Sequence, residues 1–244
     1  RDLIARWHGF GGGRLQFAVT PRFALSCTPK LMREAGKLAQ DVRCLVQTHM
    51  SENLAEVGAV SKMFPGESRY LEVYEAHGLA GPRTLFAHCI WLEKHDWERM
   101  GHLGCAVSHC PDSNFFLGSG QMDLDSALGH GLAVGLGSDV GAGRTFDMRR
   151  AMSSAFDTAR VRGTLISPAT LVWLASRGGA LALGLGDNLG CLAPGYVADL
   201  VAWRFPRAAN DDAKRLCERL AFCHDTGGIE RVYVAGRSLA LTSA

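Results

Sequence analysis

The sequence predicts an α/β protein organised as a (β/α) barrel of parallel strands. Short apolar runs of strand length alternate with helix-like stretches from residue 14 to about 140. Several of those runs close on an ionisable residue: His49 and Glu52 end RCLVQTHMSE (43–52), His88 ends RTLFAH (83–88), and Asp139 ends GLAVGLGSD (131–139). Polar groups gathered at the C-terminal ends of parallel strands are how such barrels build active sites. Two histidines, a glutamate and an aspartate there suggest a metal-activated water attacking a polar substrate.

The elements follow in order. LQFAVTPRF (15–23) reads as a strand and precedes a helix over TPKLMREAGKLAQD (28–41), with Thr28 as N-cap and Pro29 at the first helical position. RCLVQTH (43–49) precedes a helix over SENLAEVGAVSKMF (51–64), with Ser51 the expected N-cap and Glu52 in its first turn. RTLFAHCIWL (83–92) leads to EKHDWERMGHLG (93–104), and CAVSHCP (105–111) to MDLDSALGHG (122–131). GLAVGLGSD leads to DMRRAMSSAFDTARVRG (147–163). Successive strand-then-helix units argue for a parallel sheet wrapped by helices. The pattern changes after the helix SPATLVWLASRGGALALGL (167–185). GCLAPGYVADLVAWRF (190–205) and GIERVYVAGRSLAL (228–241) read as alternating strands with Gly turns, separated by the helix DDAKRLCERLAFCH (211–224). The expected boundary falls between 1–188 and a part of a small β domain over 189–244.

Bulk properties exclude several classes. Apolar content of 47% with 20% charge is ordinary for a globular protein. A net charge of +2 is too mild to argue for nucleic acid or a membrane surface, and no apolar run approaches the roughly 18 residues that span a bilayer. The first residues, RDLIARWHGFGGG, do not resemble a secretory signal. None of the eight cysteines forms a CxxC pair, and most lie in apolar runs, so buried reduced thiols in a cytosolic protein are expected. Because the sequence starts at Arg1, a processed, trimmed or partial chain is expected.

Each candidate residue has a functional and an ordinary reading. His49 and Glu52 form an H-x-x-E pair in which an imidazole faces an ion and the carboxylate reaches a substrate proton; alternatively they are a loop histidine beside a helix-start glutamate. His88, inside LFAHC, is either part of the site or a hydrogen-bonded core histidine. Asp139 is the least ordinary, since a carboxylate at the mouth of a buried strand needs a metal, a charge or water. Arg22 is either a planar clamp for a substrate carbonyl or a surface ion pair. His109 in SHCPDSN and the tract FFLGSG (115–120) are candidates for a pocket wall. The seven-residue spacing of His88, His95, His102 and His109 crosses different elements and is accidental. No GxGxxG, no GxSxG elbow and no P-C-x-x-C deaminase signature occurs.

Taken in order, PRF, QTHMSEN, LFAHC, SHCPDSN, GSGQMDL, GLGSDVGAG and LAPGYVADLVAW resemble the amidohydrolase superfamily, and more closely the guanine deaminases. The resemblance covers nearly the whole chain. It implies that Arg22 and Phe23 in T-P-R-F bind substrate, together with His49, Glu52 and Asp139. It implies that His49 and Asp139 hold one zinc ion, and that Glu52, His88 and Asp139 are catalytic. The family's H-x-H pair at barrel strand one occurs nowhere in this sequence. The resemblance therefore implies an incomplete (β/α)8 barrel of about strands four to eight, the C-terminal part of such an enzyme, inactive by itself. It further implies a small purine substrate, a cytoplasmic homodimer, and no nucleic-acid or membrane partner. The alternatives are an amidohydrolase acting on an aminotriazine or aminopyrimidine ring, and a non-catalytic barrel scaffold.

Overall fold

The structure, a computed structural model, describes residues 1–206 and 208–240. Two units share them, Arg1–Ser108 with Gly118–Leu132, and the described residues of His109–Leu117 with Ala133–Ala244. The first unit holds α1 (Asp2–Trp7), β1 (Ala18–Val19), α2 (Pro29–Val42), β2 (Leu45–Met50), α3 (Leu54–Met63), α4 (Tyr70–Ala76), β3 (Thr84–His88), α5 (Lys94–Leu103) and β4 (Ala106–His109), whose last residue belongs to the second unit. After α6 (Pro111–Leu117) of the second unit it regains α7 (Leu124–Gly129). The second unit continues with β5 (Ala133–Leu136), α8 (Met148–Val161), α9 (Pro168–Trp173), α10 (Gly179–Ala182), β6 (Leu200–Arg204), α11 (Ala213–Phe222), β7 (Gly228–Val234) and β8 (Arg237–Leu239). No described helix is long and apolar enough to cross a membrane.

In the first unit β1, β2, β3 and β4 pair in chain order and always in parallel, with Ala18 opposite Leu45, Val46 opposite Thr84 and Leu85 opposite Ala106. Chain order is what repeated right-handed crossovers produce. Met32 of α2, Met50 of β2, Leu71 and Tyr74 of α4 and Phe86 of β3 are fully buried, each worth about 1.5–3 kcal/mol against exposure. Thr28 caps α2 as expected, its hydroxyl accepting the Leu31 N–H at 3.2 Å.

Three local expectations change. The first strand shrinks to Ala18–Val19, because Pro21 has no N–H to give to a ladder. Ser51 does not cap α3: it adopts φ 52°. Asn53 takes that role, its side chain accepting the Glu56 N–H at 2.9 Å while the Glu56 carboxylate accepts the Asn53 N–H at 3.3 Å. Glu52 consequently stands in the β2–α3 link and not in a helical turn. Helices α4 and α6, each of seven residues, span two turns, too short a period to show in the sequence.

In the second unit Met152, Ala155, Leu171 and Ala221 of α8, α9 and α11 make one buried cluster. The expected helix over 167–185 is interrupted by a π turn at Leu174–Gly178. A side chain at Gly178 would put its Cβ 2.3 Å from the Val134 carbonyl oxygen, so the helix approaches β5 backbone to backbone. Strands β6, β7 and β8 form an antiparallel sheet with an irregularity at Ala202/Trp203. The β7–β8 turn is Ala235-Gly236, both at positive φ, as two-residue hairpins require. The expected last strand reached residue 241, which lies outside the described residues.

Asp112 of α6 organises this unit's approach to the end of β5. Its buried carboxylate accepts from Arg150 Nε at 3.0 Å, from the Arg144 backbone N–H at 3.2 Å and from the Arg144 guanidinium. Burial opposes ionisation, but these hydrogen bonds outweigh it and hold the carboxyl well below the ordinary aspartate range. Because the folded value is depressed, its contribution is complete above the unfolded value of about 3.9 and is lost as pH falls from there through the folded one. Asp112→Asn should cost about 2 kcal/mol at neutral pH, moderated because both arginines stay partly hydrated. The gap between variant and parent in urea melts should narrow below about pH 3.9. Coincident melts at neutral pH would remove Asp112 from this role.

Candidate functional site

The site begins where β2 ends. The carbonyl of Arg22, just past β1, accepts the His49 backbone N–H at 3.1 Å, the Thr48 hydroxyl at 3.1 Å and His49 Nδ1–H at 2.7 Å. A carbonyl only accepts, so His49 Nδ1 carries the proton and Nε2 presents its lone pair. That is the tautomer a metal-binding histidine needs, oriented by a second hydrogen bond. The arrangement rests on Tyr74, fully buried, whose hydroxyl donates to the His49 carbonyl at 2.6 Å and accepts the Ala24 N–H at 3.1 Å. Burial pushes the Tyr74 hydroxyl up to about 12, partly offset by its hydrogen bond with Thr48, so it remains a donor at neutral pH. The Arg22 guanidinium lies over the Phe23 ring at 5.2 Å, and Phe23 is 6.2 Å from the His49 ring.

His88, at the end of β3, is 1% exposed and stacks on His49 with ring centroids 5.2 Å apart. Its Nε2 lies 4.0 Å from Glu52 Oε2, and Glu52 Oε1 accepts the Ser119 hydroxyl at 3.0 Å. The Glu52 backbone is fixed as well: its N–H donates to Glu56 at 2.9 Å, and buried Glu56 accepts the Tyr70 hydroxyl at 2.6 Å. Burial drives the Tyr70 hydroxyl far above its ordinary value, so that proton stays on the oxygen.

In the second unit Asp139 follows β5 at φ 46°, with Oδ2 accepting the Ser113 hydroxyl at 2.6 Å. The Gly137 N–H donates to the carbonyl of His109 at 2.8 Å, and His109 is buried at the end of β4. Ser51, His88, Cys89 and Asp139 all occupy the left-handed region without being glycine. Such backbone costs about 1–3 kcal/mol per residue and concentrates at functional sites.

Among the residues singled out from sequence, the first unit brings His49, Glu52, His88, Arg22 and Phe23 together. Asp139 stands in the second unit beside Ser113. Sequence reasoning missed Ser113, Ser119, Tyr74 and Glu56 as partners. The two serines lie in the SHCPDSN and FFLGSG tracts already marked, but no pattern in the sequence says which carboxylate each one meets.

The model of the amidohydrolase family matches residues 1–239. The chain is 37% identical over 246 residues to the guanine deaminase of Escherichia coli K12, covering 97% of this chain and 56% of that protein. The solved structure of E. coli guanine deaminase superposes with a TM-score of 0.92 at 34% identity, over 99% of this chain and 59% of that one. A guanine deaminase from C. acetobutylicum with bound guanine in the active site gives 0.81 at 31% identity, over 90% of this chain and 54% of that one. The chain thus spans little more than half the length of these relatives.

The tautomer is directly measurable. In long-range proton–nitrogen spectra at about pH 9, above the ordinary imidazole range near 6.5, His49 should show the Nδ1–H form. A dominant Nε2–H signal would break the argument that Arg22 prepares this ring for a metal.

Proposed function

The chain belongs to the amidohydrolase family, and on that premise we propose that it takes part in zinc-dependent hydrolytic deamination of guanine to xanthine and ammonia. The observation that carries the reading is the His49–Glu52–His88 cluster with His49 held as a lone-pair donor at Nε2, in a chain 37% identical to a guanine deaminase. His49 and Asp139 would hold the ion, His49 through the lone pair at Nε2. When bound, the zinc ion makes a water acidic enough to attack near neutral pH.

The chain's own residues then divide the work. Asp139 takes the proton of the attacking water, and His88 orients that water toward the amino-bearing ring carbon. Glu52 in its protonated form gives a proton to the adjacent ring nitrogen, so no negative charge accumulates as the carbon becomes tetrahedral. The proton taken from water passes from Asp139 to the amino group, the carbon–nitrogen bond breaks to release ammonia, and the hydroxyl proton left on the ring carbon returns to Glu52 as the xanthine carbonyl forms, so water and guanine are consumed one for one and both carboxyl groups are restored. Arg22 donates to the purine carbonyl and Phe23 packs on the ring; adenine has no carbonyl to offer there. We also propose that residues 1–188 are barrel and 189–244 part of a small β domain, and that the protein works as a cytoplasmic homodimer.

Since this sequence holds no H-x-H, the 244-residue chain alone should release no detectable ammonia from guanine. An N-terminally extended protein carrying an H-x-H barrel strand should release it, and should leave aminotriazines untouched. In that protein Glu52→Gln should keep zinc, by metal analysis, and lower kcat about 100-fold or more. Arg22→Ala should raise KM for guanine roughly 10- to 100-fold. Stoichiometric zinc and full turnover in the 244-residue chain would overturn the ligand assignment, and release from triazines but not guanine would overturn the substrate.

A further inference from the structure

We propose that Ser119 is a positioning residue that assigns the two oxygens of Glu52 different tasks. Its hydroxyl donates to Oε1 at 3.0 Å, while Oε2 faces His88 Nε2 at 4.0 Å. An oxygen that accepts a hydroxyl proton can do so whether the carboxyl is ionised or neutral, provided its own proton sits on the other oxygen. Ser119 therefore keeps Oε1 as a permanent acceptor and leaves Oε2 to carry and deliver the mobile proton. The carboxyl group cannot rotate to exchange the two without losing that bond.

The serine itself is held. It is 7% exposed, and its carbonyl accepts Trp91 Nε1–H at 3.0 Å. Gly120 has φ +130°, and a Cβ there would lie 2.8 Å from Ile90 Cγ2 and 3.0 Å from the Trp91 ring, so the loop sits against Trp91 with no room for a side chain. Trp91 and Ile90 in turn donate their backbone N–H groups to the Ser51 carbonyl at 3.2 and 3.0 Å, next to Glu52. A loop sixty-seven residues downstream is thereby keyed to the link that carries the carboxylate.

The catalytic part of this proposal rests on the deaminase reading, so two measurements are paired. In the 244-residue chain with carbon-13 in its glutamate carboxyl groups, the Glu52 signal is identified by its disappearance in Glu52→Gln. Ser119→Ala should shift that signal and Ser119→Thr should return it toward the parent position; an unmoved signal overturns the hydrogen bond and the proposal. In the extended, zinc-loaded protein, Ser119→Ala should lower kcat on the order of 10- to 100-fold with KM for guanine changed less than about threefold. Ser119→Thr should recover most of the loss. A shifted carbon-13 signal with parental kcat, or a loss confined to KM, overturns the positioning role. If the parent enzyme releases no ammonia from guanine, the deaminase reading fails and the kinetic claim with it, a result the carbon-13 spectra distinguish from loss of the Ser119 contact.

Discussion

The carbonyl oxygen of Arg22 is the point on which the arrangement at the end of β2 depends. Three donors from two consecutive residues of β2 converge on it. Through them the segment after β1 is stitched to the end of β2 beyond the last ladder pair, Val19 with Val46. The same carbonyl fixes the orientation and tautomer of His49. Tyr74 makes the arrangement rigid from behind, since its hydroxyl ties Ala24 and His49 within one buried contact. The Ala24 N–H to Tyr74 bond is buried, so losing the Tyr74 hydroxyl would leave that N–H without water to replace it.

Backbone strain marks the strand exits. Ser51 follows β2, His88 and Cys89 close β3, and Asp139 follows β5, all with positive φ. A strand continuing in extended geometry would carry each side chain past the mouth of the sheet. A left-handed residue turns the chain abruptly and lets the side chains near it face one another, as His49, His88 and Glu52 do. The surrounding hydrogen bonds supply the compensation: the Cys89 N–H donates to the Met50 carbonyl at 2.9 Å and the Ile90 N–H to that of Ser51.

Carboxylates in this chain meet different kinds of donor. Glu52 and Asp139 each accept a serine hydroxyl, at 3.0 and 2.6 Å, a contact that orients the carboxyl group. Asp112, one residue before Ser113, is instead surrounded by arginine donors and serves as a structural anion. Adjacent residues of one short helix thus have opposite duties, set by what each side chain meets and not by residue type.

The sequence by itself determined the α/β class, the parallel strand-then-helix repeats, the Thr28 cap and the positions where ionisable residues close strands. Those features are local: apolar period, proline and cap chemistry act within a few residues and show in the residue order. The family motifs PRF, HMSEN, AHC and SD were legible for the same reason. Only the tertiary structure decided that Asn53 and not Ser51 starts α3, that Glu52 sits in the link, and that Ser119 reaches it across sixty-seven positions of sequence. It also decided the tautomer of His49, through a carbonyl twenty-seven residues away. A hydrogen bond between distant segments depends on how the chain packs, and serine, tyrosine and a backbone carbonyl carry no periodic signature that announces their partners.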